Sequence, residues 1–109
     1  MKHPLSDAMI LSAADLFTAL GVPSRLRILR VLLESSRPLT QGAVAERADL
    51  SQANASKHLG FLVREGLVLR EQSGTTALFS PVLPLVSELC DLVCGHVNRR
   101  ERARYRALR

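Results

Sequence analysis

The stretch from Asp49 to Ser80 constrains the fold most, because its residue pattern changes within a few positions from helical to strand-like. Ser51 is a good N-cap residue, since its hydroxyl can accept a backbone N–H that the first helical turn leaves without a partner. Gly66 is suited to end the helix in the left-handed C′ conformation. Between them, apolar residues recur with the spacing of one helical face, at Ala55, Leu59, Leu62 and Val63.

Two short strand-like segments follow this helix. Residues 67–70 and 75–79 are rich in apolar and β-branched side chains, and the segment between them contains the turn Gln72-Ser73-Gly74. The sequence therefore predicts a helix followed directly by a two-stranded wing.

Four other helices are predicted around this unit. They cover residues 5–20, a segment that begins at Pro23, the segment from Gln41 to Ala48 capped by Thr40, and a last helix opened by Pro81 and Pro84. The tight turn Asp49-Leu50 between the third and fourth helices is typical of a helix-turn-helix. The predicted fold is mainly α with a small β-hairpin wing: a winged helix-turn-helix with five helices and two strands, in the order α-α-α-α-β-β-α.

The face of the fourth helix opposite its apolar stripe is short, polar and basic. It lacks the alternating Glu and Lys residues of an ordinary solvated helix, and Gly60 lets another backbone come close. The second helix of a helix-turn-helix enters the major groove of DNA. There, glutamine can pair with adenine, lysine can reach guanine, and an alanine methyl can touch the methyl group of thymine. The residues predicted to contact base edges are Gln52, Ala53, Ser56 and Lys57.

Other residues are predicted to flank this contact. Asn54 is expected to stabilise the start of the helix, with phosphate contact as its second role. His58 lies one step toward the core, so phosphate contact and partly buried packing both stay open. Arg64 and Arg70 flank the groove face. The wing tip holds Ser73, Thr75 and Thr76 without a basic residue, which favours a weak, shape-level contact with the minor groove.

The second predicted helix interleaves arginines with its apolar residues. Leu26, Ile28 and Leu29 are expected to supply core, followed by Val31, Leu32 and Leu33. Arg25, Arg27 and Arg30 are expected on its solvated flank, with phosphate contact as the alternative.

These segments resemble the ArsR/SmtB family of bacterial winged-helix repressors. The likeness rests on Ser56-Lys57-His58-Leu59, followed by Leu62 and Glu65-Gly66-Leu67-Val68, and on residues 20–29, LGVPSRLRIL. It covers roughly residues 12 to 98. The resemblance implies a transcriptional repressor that binds double-stranded operator DNA, and it is far less specific about what the protein senses.

The first and last helices are too apolar for a chain of this size to cover alone. The last helix is apolar almost all the way round, and the simplest cover is the same surface of a two-fold mate. We therefore expect a homodimer. The predicted interface residues are Met9, Ile10, Ala13, Phe17, Leu85, Val86, Leu89, Val93 and Val97.

Cys90 and Cys94 are one helical turn apart, with side chains about 6 Å from each other. Such a pair could bind a thiophilic ion, As(III), Zn, Cd or Cu, or could act as a redox pair. Buried packing is the equal alternative, because cysteine is often buried. His96 points to another face and is a poor third ligand within one chain, but across a dimer axis it could lie nearer to the cysteines. The family's two familiar metal patterns, a Cys-x-Cys run near the recognition helix and an Asp-x-His pair with later histidines, are both missing.

The charge distribution and the motifs that the sequence lacks further limit the classes of protein to which the chain can belong. Of 15 basic and 10 acidic residues, six arginines and one glutamate fall in the last 11 positions, so the remaining chain is balanced at nine of each. We expect a DNA-binding and dimerisation domain over 1–98 and an arginine-rich tail over 99–109 that continues the last helix. The chain has no catalytic constellation, signal peptide or transmembrane run, so we expect a cytoplasmic protein that is not an enzyme and does not contact membranes.

Two hypotheses follow from these patterns. The first is a homodimeric repressor that needs no cofactor and is released from its operator by an effector acting at the last helix, either a thiophilic metal or metalloid ion or an oxidant or reactive sulfur species. The second is a thiol-based metal-binding or redox protein built on a winged-helix scaffold. A repressor with no metal effector is a further alternative.

Overall fold

Five helices and a small sheet make up the computed structural model, which describes residues 5–108. In chain order they are α1 (Asp7–Leu20), α2 (Pro23–Glu34), β1 (Leu39–Thr40), α3 (Gln41–Arg47), α4 (Gln52–Arg64), β2 (Val68–Ser73), β3 (Thr76–Pro81) and α5 (Leu85–Ala107). The predicted winged helix-turn-helix and its order of helices and wing strands are confirmed.

Side-chain caps begin α3 and α4 where the sequence predicts them. The hydroxyl of Ser51 accepts a hydrogen bond from the backbone N–H of Asn54 at 3.1 Å, and Thr40 does the same for Ala43 at 3.2 Å. Ser6 caps α1 in the same way. Gly66 follows α4 with φ +74°, a conformation that a residue without Cβ adopts at little cost.

The sheet is antiparallel, with the strand order β1-β3-β2. The wing strands pair from Val68 opposite Pro81 to Ser73 opposite Thr76, which leaves Gly74 and Thr75 as the hairpin turn. The short strand β1 pairs Leu39 with Phe79 and was not predicted. Two residues are too few to show an alternating pattern, and their partner strand lies about 40 positions further along the chain.

The core lies where α2, α3 and α4 meet the base of the wing. Leu59 and Leu62 of α4 are fully buried, as are Ile28 and Leu29 of α2. Val44 of α3 and the wing-base residues Leu67, Val68 and Phe79 belong to the same cluster. This packing fixes the inner face of α4 and determines which face remains outside.

Two expectations for α2 were wrong. Arg25 is buried, with only 8% of its surface exposed, whereas Leu26 is 47% exposed. The buried positions of α2 follow helical spacing from Arg25 through Ile28 and Leu29 to Leu32, and Leu26 lies off that face. A polar residue therefore occupies the core-facing position at the start of this helix.

The long helix α5 leaves most of its apolar side chains uncovered by its own chain. Val86 is the exception, since it is 1% exposed and belongs to the core of its own domain. The prediction that Val86 lies in the dimer interface was therefore wrong, because the first turn of α5 already packs against the domain. Leu89 and Cys90 also pack against that core, but only in part.

The helix α5 runs without a break across the predicted domain boundary at residue 98. The division into 1–98 and 99–109 stays a prediction, and its residues 1–4 and 109 lie outside the described range. Among residues 5–108, no helix is both long enough and apolar enough to cross a membrane.

Candidate DNA-binding surface

The outer face of α4 is the most distinctive polar surface of the domain. We call the five residues Gln52, Ala53, Asn54, Ser56 and Lys57 the recognition face, and all five are exposed. No aspartate or glutamate occurs within α4, and its charged residues are Lys57 and Arg64. The recognition face is therefore free of the carboxylates that would repel phosphate.

The middle of α4 offers space for another molecule to approach closely. A Cβ atom built on Gly60 would meet no heavy atom within 4 Å. Gly60 follows Lys57 by three positions and extends the same side of the helix. A flat backbone surface thus continues the recognition face toward Arg64, whose guanidinium lies 5.3 Å from the centre of the Phe61 ring.

The first residue of the recognition face is tied to α3. The Gln41 Nε2 group donates to the side-chain Oε1 of Gln52 at 3.3 Å and to its backbone carbonyl at 3.4 Å. Between the helices, Asp49 adopts φ 56°, which turns the chain sharply. Sequence reasoning missed Gln41, because its role depends on how the two helices cross. The only available signal was a polar residue at the first position of α3.

His58 connects the recognition helix to α2. The Arg25 Nε–H donates to His58 Nδ1 at 3.2 Å, and the Arg25 guanidinium lies 3.8 Å from the centre of the Phe61 ring, in cation–π range. Burial lowers the pKa of His58 below 6.5, and the positive charges of Arg25 and Lys57 lower it further. His58 is half-buried, so the structure gives it the packing role that the sequence left open, while its other edge can still reach a ligand.

The wing lies beside this surface. Arg70 pairs with Phe79 across the wing, which puts both on the sheet face that meets the core, yet Arg70 is exposed. Ser73, Thr75 and Thr76 are exposed at the tip, and Gln72 steadies the turn by donating to the Gly74 carbonyl at 3.2 Å. The predicted wing residues are thus accessible, without a positive charge at the tip itself.

The two cysteines are free thiols on α5. Cys90 is half-buried and Cys94 is exposed. Burial raises the pKa of the Cys90 thiol, and the neighbouring Cys94 and Asp91 raise it further. Within residues 5–108, no group of three or more His, Cys, Asp or Glu side chains could hold a metal ion. Cys90 and Cys94 are thus the sulfur pair available in this range, and His96, which follows Cys94 by about 200° of helix rotation, projects to a different face.

Many apolar side chains on the surfaces of α1 and α5 are left uncovered by the chain's own fold. Phe17 and Val93 are 69% and 58% exposed, and Met9, Ile10, Leu85 and Val97 are also exposed. Ala13 and Leu89 are half-buried. Large apolar surfaces of this kind usually mark a protein–protein contact.

Comparisons with known proteins identify the same fold. The model of a helix-turn-helix domain matches residues 20–71. An uncharacterised HTH-type transcriptional regulator of Mycobacterium tuberculosis, Rv0081, is 31% identical over 84 residues, which cover 77% of this chain and 73% of that protein. Its crystal structure superposes with a TM-score of 0.81, at 29% identity and over 92% of this chain and 99% of that one.

Two other proteins extend the comparison. The homodimeric winged helix-turn-helix DNA-binding domain of Mb0332 from Mycobacterium bovis, described as a possible ArsR-family transcriptional regulator, has a TM-score of 0.80 at 26% identity and covers 90% of this chain and 92% of that one. A probable mercury resistance operon repressor of Streptomyces lividans is 35% identical over 78 residues, or 72% of this chain and 61% of that protein.

The lowered pKa of His58 predicts how stability depends on pH. Unfolded His58 takes up a proton near pH 6.5, whereas folded His58 does so only at lower pH, so the free energy of unfolding should decrease as the pH falls below 6.5. Replacing His58 by Gln should make this decrease shallower. Urea unfolding at about pH 7.5 and about pH 5.5, on either side of that value, measures the effect. His96→Gln, an exposed change on α5, is the control, and equal pH dependence in both variants would contradict the assignment.

Proposed function

The chain belongs to the ArsR/SmtB family of winged helix-turn-helix transcriptional regulators, and we propose that it is a homodimeric repressor whose recognition face reads operator DNA. The observation that carries the proposal is the recognition face itself. It combines hydrogen-bonding side chains and a lysine with exposed backbone, contains no carboxylate, and projects from a helix whose other face is locked in the core. A helix of this kind fits the major groove.

Base reading would come from the first two turns of α4. Gln52 can pair with adenine, Lys57 can reach a guanine, and Ala53 with Ser56 can lie against the methyl groups and edges between them. Asn54, Arg64 and Arg70 are suited to the sugar–phosphate backbone. The wing tip at Ser73, Thr75 and Thr76 would add a contact that depends on the shape of the minor groove.

Dimerisation is supported by the exposed apolar side chains of α1 and α5 and by the homodimeric state of the Mb0332 domain. A two-fold pair would carry two recognition faces about 34 Å apart, one turn of DNA, so the operator would be an imperfect palindrome. The apolar side chains of α5 would then be covered by the partner. The interface residues proposed for this role are Met9, Ile10, Ala13, Phe17, Leu85, Leu89, Val93 and Val97.

Regulation through Cys90 and Cys94 is part of the proposal. Both thiols lie on α5, which also carries apolar residues of the proposed interface. A thiophilic ion such as As(III), Zn, Cd or Cu, or an oxidant, would shift the two subunits and alter the spacing of the recognition faces. A coupling of about 1–3 kcal/mol changes operator affinity roughly 5–150-fold. The likeness to a probable mercury resistance operon repressor of Streptomyces lividans supports a thiophilic metal as one effector class.

A second function has its own support in the cysteine pair. Two thiols one turn apart, one of them exposed, also fit a metal-binding or redox protein that uses the winged fold as a scaffold. That protein would bind metal or react with oxidants and would have no preferred DNA sequence. A selection of binding sites from random duplex DNA separates the two functions.

Base reading predicts a weaker sequence preference in variants of the recognition face. Gln52→Ala and Lys57→Ala should each weaken binding to the selected operator about 10-fold, and binding to random DNA much less, because removing one base-reading side chain costs about 1–3 kcal/mol. Mobility-shift titrations on both DNAs measure the ratio. Arg37→Ala removes one exposed charge from the loop before β1 and serves as the control. An unchanged ratio, or a protein that sediments as a monomer, would refute the proposal.

The arginine-rich end of α5 should contribute affinity without sequence preference. Replacing Arg100, Arg102, Arg104 and Arg106 by glutamine should flatten the dependence of log affinity on log salt by about 0.9 for each phosphate that is no longer neutralised. Replacing the same residues by lysine keeps the charge and should keep the slope. If the glutamine variant has the wild-type slope, these arginines do not contact DNA.

Thiol sensing predicts a response that needs both cysteines. Arsenite, Zn(II) or a mild oxidant should release the wild-type protein from its operator, and the double variant Cys90→Ser/Cys94→Ser should stay bound. Because ligating thiols must lose their protons and the pKa of Cys90 is raised, metal-induced release should strengthen as the pH increases. Equal release of both proteins would assign the effector elsewhere, and no release of either would leave a repressor without a thiol effector.

A further inference from the structure

Arg25 is a buried cation that no acidic side chain of the described range neutralises. The ion pairs found among residues 5–108 are Arg30 with Glu34 and Arg104 with Glu101, and neither includes Arg25. A buried charge is costly unless other groups compensate it. The groups that contact the Arg25 guanidinium are the His58 ring nitrogen and the Phe61 ring face, both from α4. The cation at the start of α2 is thus held by neutral groups of the recognition helix.

The hydrogen bond from Arg25 determines which nitrogen of His58 carries the proton. A guanidinium can only donate hydrogen bonds, so His58 Nδ1 must accept through its lone pair. A neutral imidazole has one proton, which must then be on Nε2. If His58 were protonated at Nδ1, two donors would face each other at 3.2 Å. Arg25 therefore selects the Nε2–H tautomer.

The Nε2 edge of His58 is available to a ligand. His58 is half-buried, and among the described residues no side-chain nitrogen or oxygen is both buried and without a partner. The hydrogen bonds of these residues give Nε2 no acceptor of its own. His58 directly follows Lys57 of the recognition face. An N–H donor at this edge of the helix, with a positive charge behind the ring, is suited to an anionic acceptor.

We propose that Arg25 is a positioning residue that holds His58 as the Nε2–H tautomer, so that His58 donates a hydrogen bond to a phosphodiester oxygen of bound DNA. This rests on the proposed DNA binding and deepens it by assigning one backbone contact and its support. The phosphate contact fixes the depth of α4 in the groove and carries no sequence information. Arg25 does not touch the DNA in this arrangement.

The tautomer can be measured without DNA. Long-range ¹H–¹⁵N correlation spectra of the ring, recorded about one pH unit above the ordinary histidine pKa, should show a protonated Nε2 and an unprotonated Nδ1 for His58 of the wild-type protein. Arg25→Met removes the donor and keeps a flexible apolar side chain, and it should give a mixture of the two tautomers. A wild-type ring protonated at Nδ1, or an unaltered tautomer in Arg25→Met, overturns the proposal.

Two substitutions at His58 separate its two nitrogens. In His58→Asn the amide oxygen can still accept from Arg25, but no donor reaches the position of Nε2. In His58→Gln the longer side chain can put its N–H group at that position. Asn should lower DNA affinity about 10-fold and Gln less than about 3-fold, equally on the selected operator and on random duplex DNA, because a backbone contact does not depend on sequence. Equal affinities of the two variants would overturn the phosphate contact.

A double variant tests whether Arg25 acts through His58. Arg25→Met should weaken DNA binding about 10-fold in the wild-type background and less than about 2-fold in the His58→Asn background, since coupled residues are not additive. Additive losses would mean that Arg25 acts independently, and thermal unfolding of each variant identifies any that fail to fold. The His58→Asn and His58→Gln pair keeps Arg25 intact and remains decisive in that case. Absence of any sequence preference in the wild type would instead refute the proposed repressor and leave the tautomer result standing.

Discussion

The recognition surface depends on one constraint: α4 must bury one face completely while its other face stays uncovered. Leu59 and Leu62 lock the inner face against α2 and the base of the wing. Because packed interiors resist small displacements, these apolar contacts set the direction in which Lys57 projects. A change deep in the core, far from any DNA, would therefore alter the presentation of the recognition face.

The polar contacts of α4 add a second level of control to this packing. Gln41 holds the side chain at the start of the helix, and Arg25 holds the middle through His58. Both supports come from other helices, α3 and α2, which orient the recognition face together with the base of the wing. Preorganisation of this kind lowers the entropy that ordered side chains lose on binding.

The sequence was sufficient to predict the features that are determined by residues close together in the chain. The Ser51 cap, the Gly66 terminus and the helical spacing through Leu62 depend on neighbouring residues, and each is where the pattern indicated. Pairing between distant segments was not predictable in this way: β1 joins a strand far along the chain, and Val86 is covered by its own domain.

The residues of the candidate site also fall into those that the sequence predicted and those that it did not. Arg25 was wrongly predicted to lie on the solvated flank of α2, because arginine side chains are usually exposed. In the fold, an aromatic ring and an imidazole from α4 contact its guanidinium and make its burial tolerable. Sequence patterns identified the exposed residues of α4 and the wing, but the supports behind them became visible only in three dimensions.

The length of α5 has a mechanical consequence of its own. Its 23 residues span about 34 Å, and it is anchored to its own domain near one end, at Val86. A pivot of about 10° at that anchor would swing the distal arginines through roughly 5–6 Å, by the geometry of a rod of this length. That travel approaches the distance of about 8 Å over which physiological salt screens a charge. A slight rotation at the base of α5 would thus change how strongly this cluster of positive charge attracts a neighbouring polyanion.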